Sequence, residues 1–203
     1  MKLLYVTDRE AIGDARFESV LEALAGAPGV AVQVREKSAT DREILEWARS
    51  ARSKLGPSVP LFVNRRFDIA LAAGADGVHL PADGLPAPQV RAGTHRGFLI
   101  GVSTHSPEEA VRAVEEGADL VILGPIFETP SKMQFGRPLG IEALAALPAR
   151  GSEGGEVYAI GGIDESRLPA LARVADRISG VAAVRMVQEA ADPRAVLDRV
   201  AAA

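Results

Sequence analysis

Short apolar runs alternate with longer Ala-rich segments along the whole chain. The clearest alternation occurs twice, as DIALAAGADGVHL beginning at Asp68 and as EAVRAVEEGADLVIL beginning at Glu109. In each copy a helical run stops at a glycine, turns through Ala-Asp and enters an apolar strand. The repeat predicts βα units of an α/β fold, in which functional side chains follow the C-terminal ends of the strands.

Eight such units span the sequence. The predicted strands cover 3–7, 30–34, 61–64, 77–80, 98–103, 120–123, 157–160 and 180–185. The predicted helices lie near 16–26, 41–55, 67–73, 86–92, 107–116, 141–147, 166–174 and 193–202. Eight alternations without a break in composition predict a single domain over residues 1–203, folded as a closed (β/α)8 TIM barrel. The alternative is an open doubly wound sheet, and we favour closure because an open sheet would expose two strand edges.

The composition fits one globular domain and narrows its chemistry. Of the 203 residues 47% are hydrophobic, and the formal net charge of −4 gives no bulk attraction to nucleic acid. The chain has no cysteine, which excludes disulfides, thiolate metal sites and a cysteine nucleophile. No segment has the length of a membrane span or the pattern of a signal peptide, so we expect a cytoplasmic protein without membrane association.

Polar side chains alternate with valines at the end of the second predicted strand. In VQVREK, Gln33, Arg35 and Lys37 share one face, and Val32 and Val34 share the other. If the valines pack against helices, two cations and an amide face the mouth of the barrel, where they suit a phosphorylated or pyrophosphorylated ligand. The alternative is that Arg35 pairs with a strand-end carboxylate and Lys37 is solvated.

Three further polar side chains lie on strands three to five. Asn64 ends the third strand as a candidate ligand-orienting amide, and Ser103 stands at the tip of the fifth as a candidate functional hydroxyl. His79 lies between Val78 and Leu80 and therefore faces the barrel interior. A hydrogen-bonded structural role and a catalytic role are both open for this histidine.

The longest irregular stretch, GPIFETPSKMQFGRPLG, follows the sixth strand. Loops of this length in compact domains are usually lids or binding segments. It carries two hydroxyls and an ammonium within four residues, at Thr129, Ser131 and Lys132. We therefore predict that this loop contributes to the ligand site.

The last two strands end in a pattern typical of anion binding. Gly161 and Gly162 follow the seventh strand, and Arg185 ends the eighth. Loops seven and eight of such barrels often hold a phosphate through backbone amides that only glycine lets approach closely. The combination predicts a phosphate site.

Taken in order, the segments YVTD, QVREK, FVN, GADGVHL, GVSTHS, GADLVILGPIF, TPSK and AIGGI resemble the thiamine-phosphate synthase and TenI family over essentially the whole chain. Synthases of that family join an aminopyrimidine pyrophosphate to a thiazole phosphate and release pyrophosphate with the help of magnesium. The resemblance implies a pyrimidine and pyrophosphate site at Gln33, Arg35, Lys37 and Asn64, with Ser103 and Lys132 nearby. It implies a thiazole phosphate site at Thr129, Ser131 and the backbone of Gly162.

The chain departs from the family pattern where magnesium would bind. Synthases of the family carry an aspartate directly after the asparagine and another after the GADGVHL strand, and here these positions are Arg65 and Gly84, with Asp83 one residue off. A guanidinium about 4 Å from a divalent ion would cost on the order of 8 kcal/mol at an effective dielectric near 20. We therefore expect no cofactor, and magnesium only if the chain is a working synthase.

Other segments resemble the TenI branch more closely. These are HLPADGLP and the RPLG run before the sixth helix. Some TenI members tautomerise a thiazole carboxylate phosphate without a metal. However, the histidine implicated in that proton transfer would fall at Pro125, and Arg185 replaces a serine near the thiazole phosphate.

Three hypotheses follow from the resemblance. The leading one is a TenI-like, metal-independent enzyme that binds thiazole phosphate, with Lys132, Ser103 and His79 as candidate catalytic residues and Glu128 as a further candidate for proton transfer. The second is a thiamine-phosphate synthase in which Arg65 replaces the charge of magnesium. The third is a non-catalytic relative that binds phosphate ligands. The partners implied are phosphorylated thiazole and, for the synthase, aminopyrimidine pyrophosphate; whether the chain forms a homodimer stays open.

Overall fold

The computed structural model describes residues 1–129, 137–151 and 155–203. Its strands are β1 (Lys2–Val6), β2 (Val30–Val34), β3 (Leu61–Asn64), β4 (Gly77–Leu80), β5 (Leu99–Thr104), β6 (Leu120–Leu123), β7 (Glu156–Ile160) and β8 (Gly180–Ala183). Consecutive strands pair in parallel, and β1 also pairs with β8, with Lys2 opposite Gly180. The predicted closed (β/α)8 barrel is confirmed, and the open sheet is excluded.

Within the described ranges the helices are α1 (Arg9–Leu24), α2 (Asp41–Leu55), α3 (Phe67–Ala73), α4 (Ala87–Ala92), α5 (Pro107–Glu115), α6 (Ile141–Ala145), α7 (Leu168–Ala172), α8 (Arg185–Gln188) and α9 (Pro193–Ala202), with a 3₁₀ turn at Glu165–Arg167 before α7. None of these helices is long and apolar enough to cross a bilayer.

Several element bounds differ from the prediction by one or two residues, and two of the differences, at α1 and β8, have clear local reasons. α1 begins at Arg9 because the Asp8 side chain accepts a backbone N–H of the first turn, and Gly13 (φ 73°) interrupts the helix. β8 ends at Ala183, so that Arg185 begins α8 instead of ending the strand. The prediction missed both because the helical pattern before residue 16 is broken by the glycine and α8 is a single turn.

Period-two alternation divides the strands between two apolar layers. On β2, Val32 and Val34 are buried in the layer that the helices cover, whereas Gln33 lines the barrel interior. A smaller apolar cluster fills the interior, and it consists of Leu4, Val6, Phe62, Leu120, Ile122, Tyr158 and Ala182. This cluster forms the floor of the cavity described below, since three of its members also line that cavity.

The first copy of the sequence repeat closes the N-terminal end of the barrel. α3 ends at Gly74, which adopts the left-handed conformation (φ 67°). An oxygen of Asp76 accepts the Leu61 N–H at 2.7 Å and also pairs with Arg52. Arg52 in turn donates to the Gly56 carbonyl at 2.5 Å. The carboxylate therefore joins the start of β3 to the turn before β4.

The second copy repeats the arrangement between β5 and β6. An oxygen of Asp119 accepts the Ile100 N–H at 2.7 Å and pairs with Arg91 at 2.5 Å. Arg91 also donates to the carbonyl of Gly117 at 3.1 Å. The repeated Gly-Ala-Asp is thus a structural brace, located at the end of the barrel opposite the strand C-termini.

Candidate active site

An open cavity of about 1150 Å³ lies at the C-terminal ends of the strands. All eight strands contribute at least one side chain to its wall, because alternate positions of each strand point inward. One representative from each strand, in chain order, is Val6, Gln33, Asn64, His79, Ser103, Ile122, Ile160 and Ala182. The volume exceeds the roughly 300–1,000 Å³ of a typical small-ligand pocket, so that there is room for two small ligands.

The structure brings most of the predicted site residues together around this cavity. The following line it: Gln33, Arg35, Lys37, Asn64, His79, Ser103, Thr129, Gly161, Gly162 and Arg185. Two predicted residues, Ser131 and Lys132, lie outside the described residues. The alternation of valines and polar side chains on β2 therefore places the predicted cations at the mouth of the barrel.

Gln33 and Asn64 form a pair of amides on neighbouring strands. Gln33 is only 2% exposed, and its Nε2 donates to Asn64 Oδ1 at 3.1 Å. Its Oε1 is buried and has no hydrogen-bond partner in the described part of the chain. Because buried polar atoms are almost always paired, this acceptor can take an N–H or O–H donor from a water molecule or from a ligand in the cavity that Gln33 lines.

Arg35 is held by a network that links the ends of β1 and β2. Its backbone N–H donates to Thr7 Oγ1 at 3.0 Å, and that hydroxyl donates to Glu36 Oε1 at 2.6 Å. Glu36 also accepts the Arg9 backbone N–H at 3.0 Å. Burial raises the pKa of Glu36, and the hydrogen bonds from Thr7 and Arg9 oppose this effect.

The two cations that follow Gln33 keep their charge available to a ligand. Burial lowers the pKa of Arg35 from its ordinary value. Among the residues that the structure describes, neither Arg35 nor Lys37 forms a salt bridge. The alternative of an Arg35–carboxylate pair is met only by the longer-range attraction of Asp8 and Glu36, whose charges oppose the effect of burial on the pKa of Arg35. Both side chains line the cavity, where an anion can approach them.

His79 and Ser103 are paired side by side on β4 and β5. His79 Nε2 lies 2.8 Å from Ser103 Oγ, and a Cβ on Gly101 would lie 2.6 Å from His79 Nδ1. Burial, with a smaller contribution from the charge of Arg35, lowers the pKa of His79 to about 3. A histidine this weakly basic is poorly matched to proton transfer near neutral pH, so the geometry favours positioning of the Ser103 hydroxyl.

The glycines after β7 form an open stretch of backbone at the cavity wall. Gly161 (φ 100°) and Gly162 (φ 63°) are both in conformations that favour glycine. A Cβ on Gly162 would meet the Glu128 carbonyl oxygen and lie 2.6 Å from Arg167 Nη1. Arg167 donates to the Gly162 carbonyl, and its guanidinium lies 4.7 Å from the ring centroid of Phe127. This packing keeps the backbone fixed and accessible to an anion.

The residues at the predicted magnesium positions do not fit a divalent cation. Arg65 lines the cavity, and its Nη2 lies 2.9 Å from Asp83 Oδ1. A Cβ on Gly84 would lie 2.9 Å from the Pro81 carbonyl oxygen, so that a carboxylate side chain there would require the loop to shift. The described ranges contain no group of three His, Asp or Glu side chains that could hold a metal ion. A cation and a bare glycine thus stand where two carboxylates would be needed.

Sequence reasoning missed three residues that shape this site. Glu36 lies between the two cations of β2, so period two assigned it to the opposite face and gave it no role. Thr7, which holds it, is distant in sequence, and Arg167 follows the diglycine within the next turn. The one local signal was the carboxylate of Glu36 within a cationic strand end.

Comparison with known proteins finds the same family at the level of sequence and fold. The family model described as thiamine monophosphate synthase matches residues 3–187. A putative thiamine-phosphate synthase of Geobacter sulfurreducens is 44% identical over 198 residues, which cover 95% of this chain and 89% of that protein. A thiamine-phosphate synthase of Methanoculleus marisnigri is 41% identical over 206 residues, which cover 98% of this chain and 96% of that protein.

A solved structure agrees with these relatives. The thiamine phosphate pyrophosphorylase of Pyrococcus furiosus superposes with a TM-score of 0.80 at 32% identity, covering 99% of this chain and 94% of that one. A 3-hexulose-6-phosphate synthase superposes with a TM-score of 0.65 at 17% identity, a likeness of fold alone. The names of the relatives favour the synthase hypothesis over the leading TenI-like one of the sequence analysis.

Proposed function

Because the chain belongs to the thiamine monophosphate synthase family, we propose that it joins an aminopyrimidine pyrophosphate to a thiazole phosphate and releases pyrophosphate. The observation that carries this proposal is that two separate edges of one cavity present groups able to hold an anion. Arg35 and Lys37 form the edge at β2, and Gly161, Gly162 and Arg185 form the edge after β7 and β8. The strands β2 and β7 are not neighbours in the barrel, so each edge can hold its own phosphate group.

The unpaired acceptor of Gln33 supports a role for the β2 edge in binding the pyrimidine. The exocyclic amine of an aminopyrimidine is the kind of donor that the buried Oε1 lacks. Arg35 and Lys37 would then hold the pyrophosphate and stabilise the negative charge that it gains as it leaves. At the other edge, the backbone of Gly162 and the side chain of Arg185 would hold the thiazole phosphate.

The proposed transfer is compatible with the titratable groups that line the described cavity. The carbon–oxygen bond to pyrophosphate breaks, and a carbon–nitrogen bond to the thiazole forms with the electron pair of the ring nitrogen. No general base is needed for this substitution, which agrees with a His79 that is held neutral beside Ser103. No step of the proposal passes through a metal ion, since Arg65 and Gly84 do not fit one.

A metal-independent isomerase of a thiazole phosphate is the second candidate. The observation that favours it is the Arg65–Asp83 pair where the metal site of a synthase would lie. Tautomerisation, however, must move a proton at carbon, and Pro125 and the weakly basic His79 are poor groups for that task. This candidate would depend on Lys132, which lies outside the described residues, or on the exposed Glu128.

Turnover assays on the purified full chain test the two candidates directly. The protein is given both synthase substrates, and in a separate reaction the thiazole carboxylate phosphate, with product followed by chromatography and NMR. We expect thiamine phosphate and pyrophosphate to form in the first reaction. Arg35→Met should lower kcat/KM about 10- to 100-fold, the equivalent of one charged hydrogen bond. Arg96→Met, at an exposed position away from the cavity, is the matched control.

Each remaining outcome contradicts the proposed function. Turnover of the thiazole carboxylate phosphate alone would favour the isomerase. Saturable thiazole phosphate binding without turnover of either substrate set would favour the third hypothesis, a non-catalytic phosphate-binding protein.

A further inference from the structure

An exposed arginine–aspartate pair lies at the edge of the cavity, directly after the Gln33–Asn64 amides. Arg65 follows Asn64 at the end of β3 and is the one residue other than glycine with positive φ (66°) in the described ranges. Its backbone N–H donates to the His79 carbonyl at 2.7 Å. This bond to β4 holds the left-handed turn, which costs an arginine roughly 1–2 kcal/mol, and so fixes where the side chain leaves the strand.

The two neighbouring arginines differ in how firmly their charges are bound. Arg66 donates to Asp41 and, at 2.6 Å, to Asp68, and these hydrogen bonds, chiefly the one to Asp68, raise its pKa. Arg65 has one acidic partner among the described residues, Asp83, and the side chains of the pair are 54% and 79% exposed. Exposed pairs of this kind contribute about 0–1 kcal/mol, so an anion with several oxygens can displace Asp83 from Arg65.

We propose that Arg65 is a ligand of the substrate's pyrophosphate group, exchanging Asp83 for phosphate oxygens, and that this site binds pyrophosphate without a divalent cation. The guanidinium presents a planar fork of N–H donors that matches phosphate oxygens. Arg35 and Lys37 line the same cavity and add two further positive charges. In this arrangement Asp83 occupies the arginine only until the ligand enters. The identity of the substrate rests on the proposed function; the binding of pyrophosphate does not.

Two hypotheses for Asp83 predict opposite effects of its removal on pyrophosphate binding. If Asp83 competes with the ligand for Arg65, its removal strengthens pyrophosphate binding. If Asp83 instead ligates a metal that carries pyrophosphate, its removal weakens binding. Titration calorimetry of the full chain with inorganic pyrophosphate, first in chelator and then with excess magnesium, distinguishes the two.

We expect saturable pyrophosphate binding in chelator, with no gain in affinity when magnesium is added. Arg65→Met should weaken this binding about 10-fold, Arg65→Lys less, because a point charge lacks the fork, and Asp83→Asn should strengthen it about 2- to 5-fold. Arg96→Met serves as the matched control and should bind like the unchanged chain. Thermal melting of each variant confirms that it is folded.

Three results would overturn the inference: binding that requires magnesium, unchanged affinity in Arg65→Met, or weaker binding in Asp83→Asn. These are separable from failure of the proposed function. A chain that binds pyrophosphate through Arg65 but forms no thiamine phosphate keeps the inference and loses the function. If product formation depends on magnesium and is unchanged by substitution of Arg65, the proposed function is kept and the inference is lost.

Discussion

Arg52–Asp76 and Arg65–Asp83 are ion pairs of the same chemistry at opposite ends of one barrel. At the N-terminal end, Asp76 also accepts the Leu61 N–H, and the side chain of Arg52 is 19% exposed and donates to backbone carbonyls. At the C-terminal end, Arg65 and Asp83 bind each other and are mostly exposed. The difference lies in what each pair is attached to, since the first satisfies backbone groups of the fold and the second faces an open cavity.

The comparison extends to the two ends of the barrel as a whole. The second copy of the repeat gives Asp119 and Arg91 partners equivalent to those of the first: each aspartate accepts a strand N–H, and each arginine donates to the carbonyl of the repeat's glycine. The carboxylates at this end therefore tie strands together. At the cavity, Arg35 and Lys37 have no salt-bridge partner among the described residues. The first end of the barrel therefore uses these charges for stability, whereas the cavity leaves Arg35 and Lys37 open to a ligand.

The largest expected effect separates the two ion pairs by stability. Asp76→Ala leaves the Leu61 N–H and the Arg52 guanidinium without their acceptor, and because the Asp76 side chain is 39% exposed, water replaces part of it; we expect the free energy of unfolding to fall by about 2–3 kcal/mol. Asp83→Ala should lower it by less than about 0.5 kcal/mol. Urea unfolding followed by circular dichroism measures both variants. Similar losses of unfolding free energy in the two variants would contradict the distinction between the two ion pairs.

A second prediction concerns pH and the buried histidine at the cavity. Burial holds the pKa of His79 near 3, against an ordinary value of 6.5, so the unfolded chain binds the proton more tightly. Stability from this group is fully present above pH 6.5 and is lost as the pH falls. We expect a loss of about 2 kcal/mol between pH 7 and pH 5. Urea unfolding across this range measures it.

The matched variant for this prediction is His79→Asn. It removes the titrating group and keeps a polar side chain near Ser103, so its free energy of unfolding should depend less on pH than that of the unchanged chain. Parallel pH profiles for the two proteins would show that His79 becomes charged within the fold.

The features of the two barrel ends that could be predicted from the sequence are those that depend on residues close together in the chain. The barrel follows from glycines that stop helices and from period-two strands, and both are properties of neighbouring residues. The same alternation placed Gln33, Arg35 and Lys37 at the cavity. The bond between Thr7 and Glu36 joins residues 29 positions apart, and no local pattern reports it.

The burial of His79 could not be predicted from its neighbours in the sequence either. The sequence left His79 open between a catalytic and a structural role, because its surroundings on β5 were unknown. The structure encloses the ring between Gly101 and Ser103, and burial then decides its charge. The departure at Arg65 was visible in the sequence, but its partner Asp83 was not, since a turn conformation sets which way the side chain leaves.

A third prediction contrasts glycines from the two ends. Gly162→Ala must place a Cβ against the Glu128 carbonyl and Arg167 in a left-handed turn, so we expect a loss of about 1–2 kcal/mol of stability. The moved backbone should also weaken thiazole phosphate binding about 10-fold, measured by calorimetry. Gly74→Ala has a similar φ (67°) with nothing within 4 Å of the added Cβ, so it should lose stability through strain alone. Unchanged affinity in Gly162→Ala would remove this loop from the site.

The smallest expected effect tests whether Arg65 serves the fold at all. Arg65→Gly relieves the left-handed strain of roughly 1–2 kcal/mol, and it also loses a weak ion pair and adds freedom to the unfolded chain. These contributions nearly cancel, so the free energy of unfolding should change by less than about 0.5 kcal/mol. Arg66→Gly, at φ −103° and with two acidic partners, is the matched comparison and should lose more than about 1 kcal/mol. If the two glycine variants lost the same stability, Arg65 would stabilise the fold as Arg52 and Arg91 do. Its pairing with Asp83 would then no longer distinguish the cavity from the N-terminal end of the barrel.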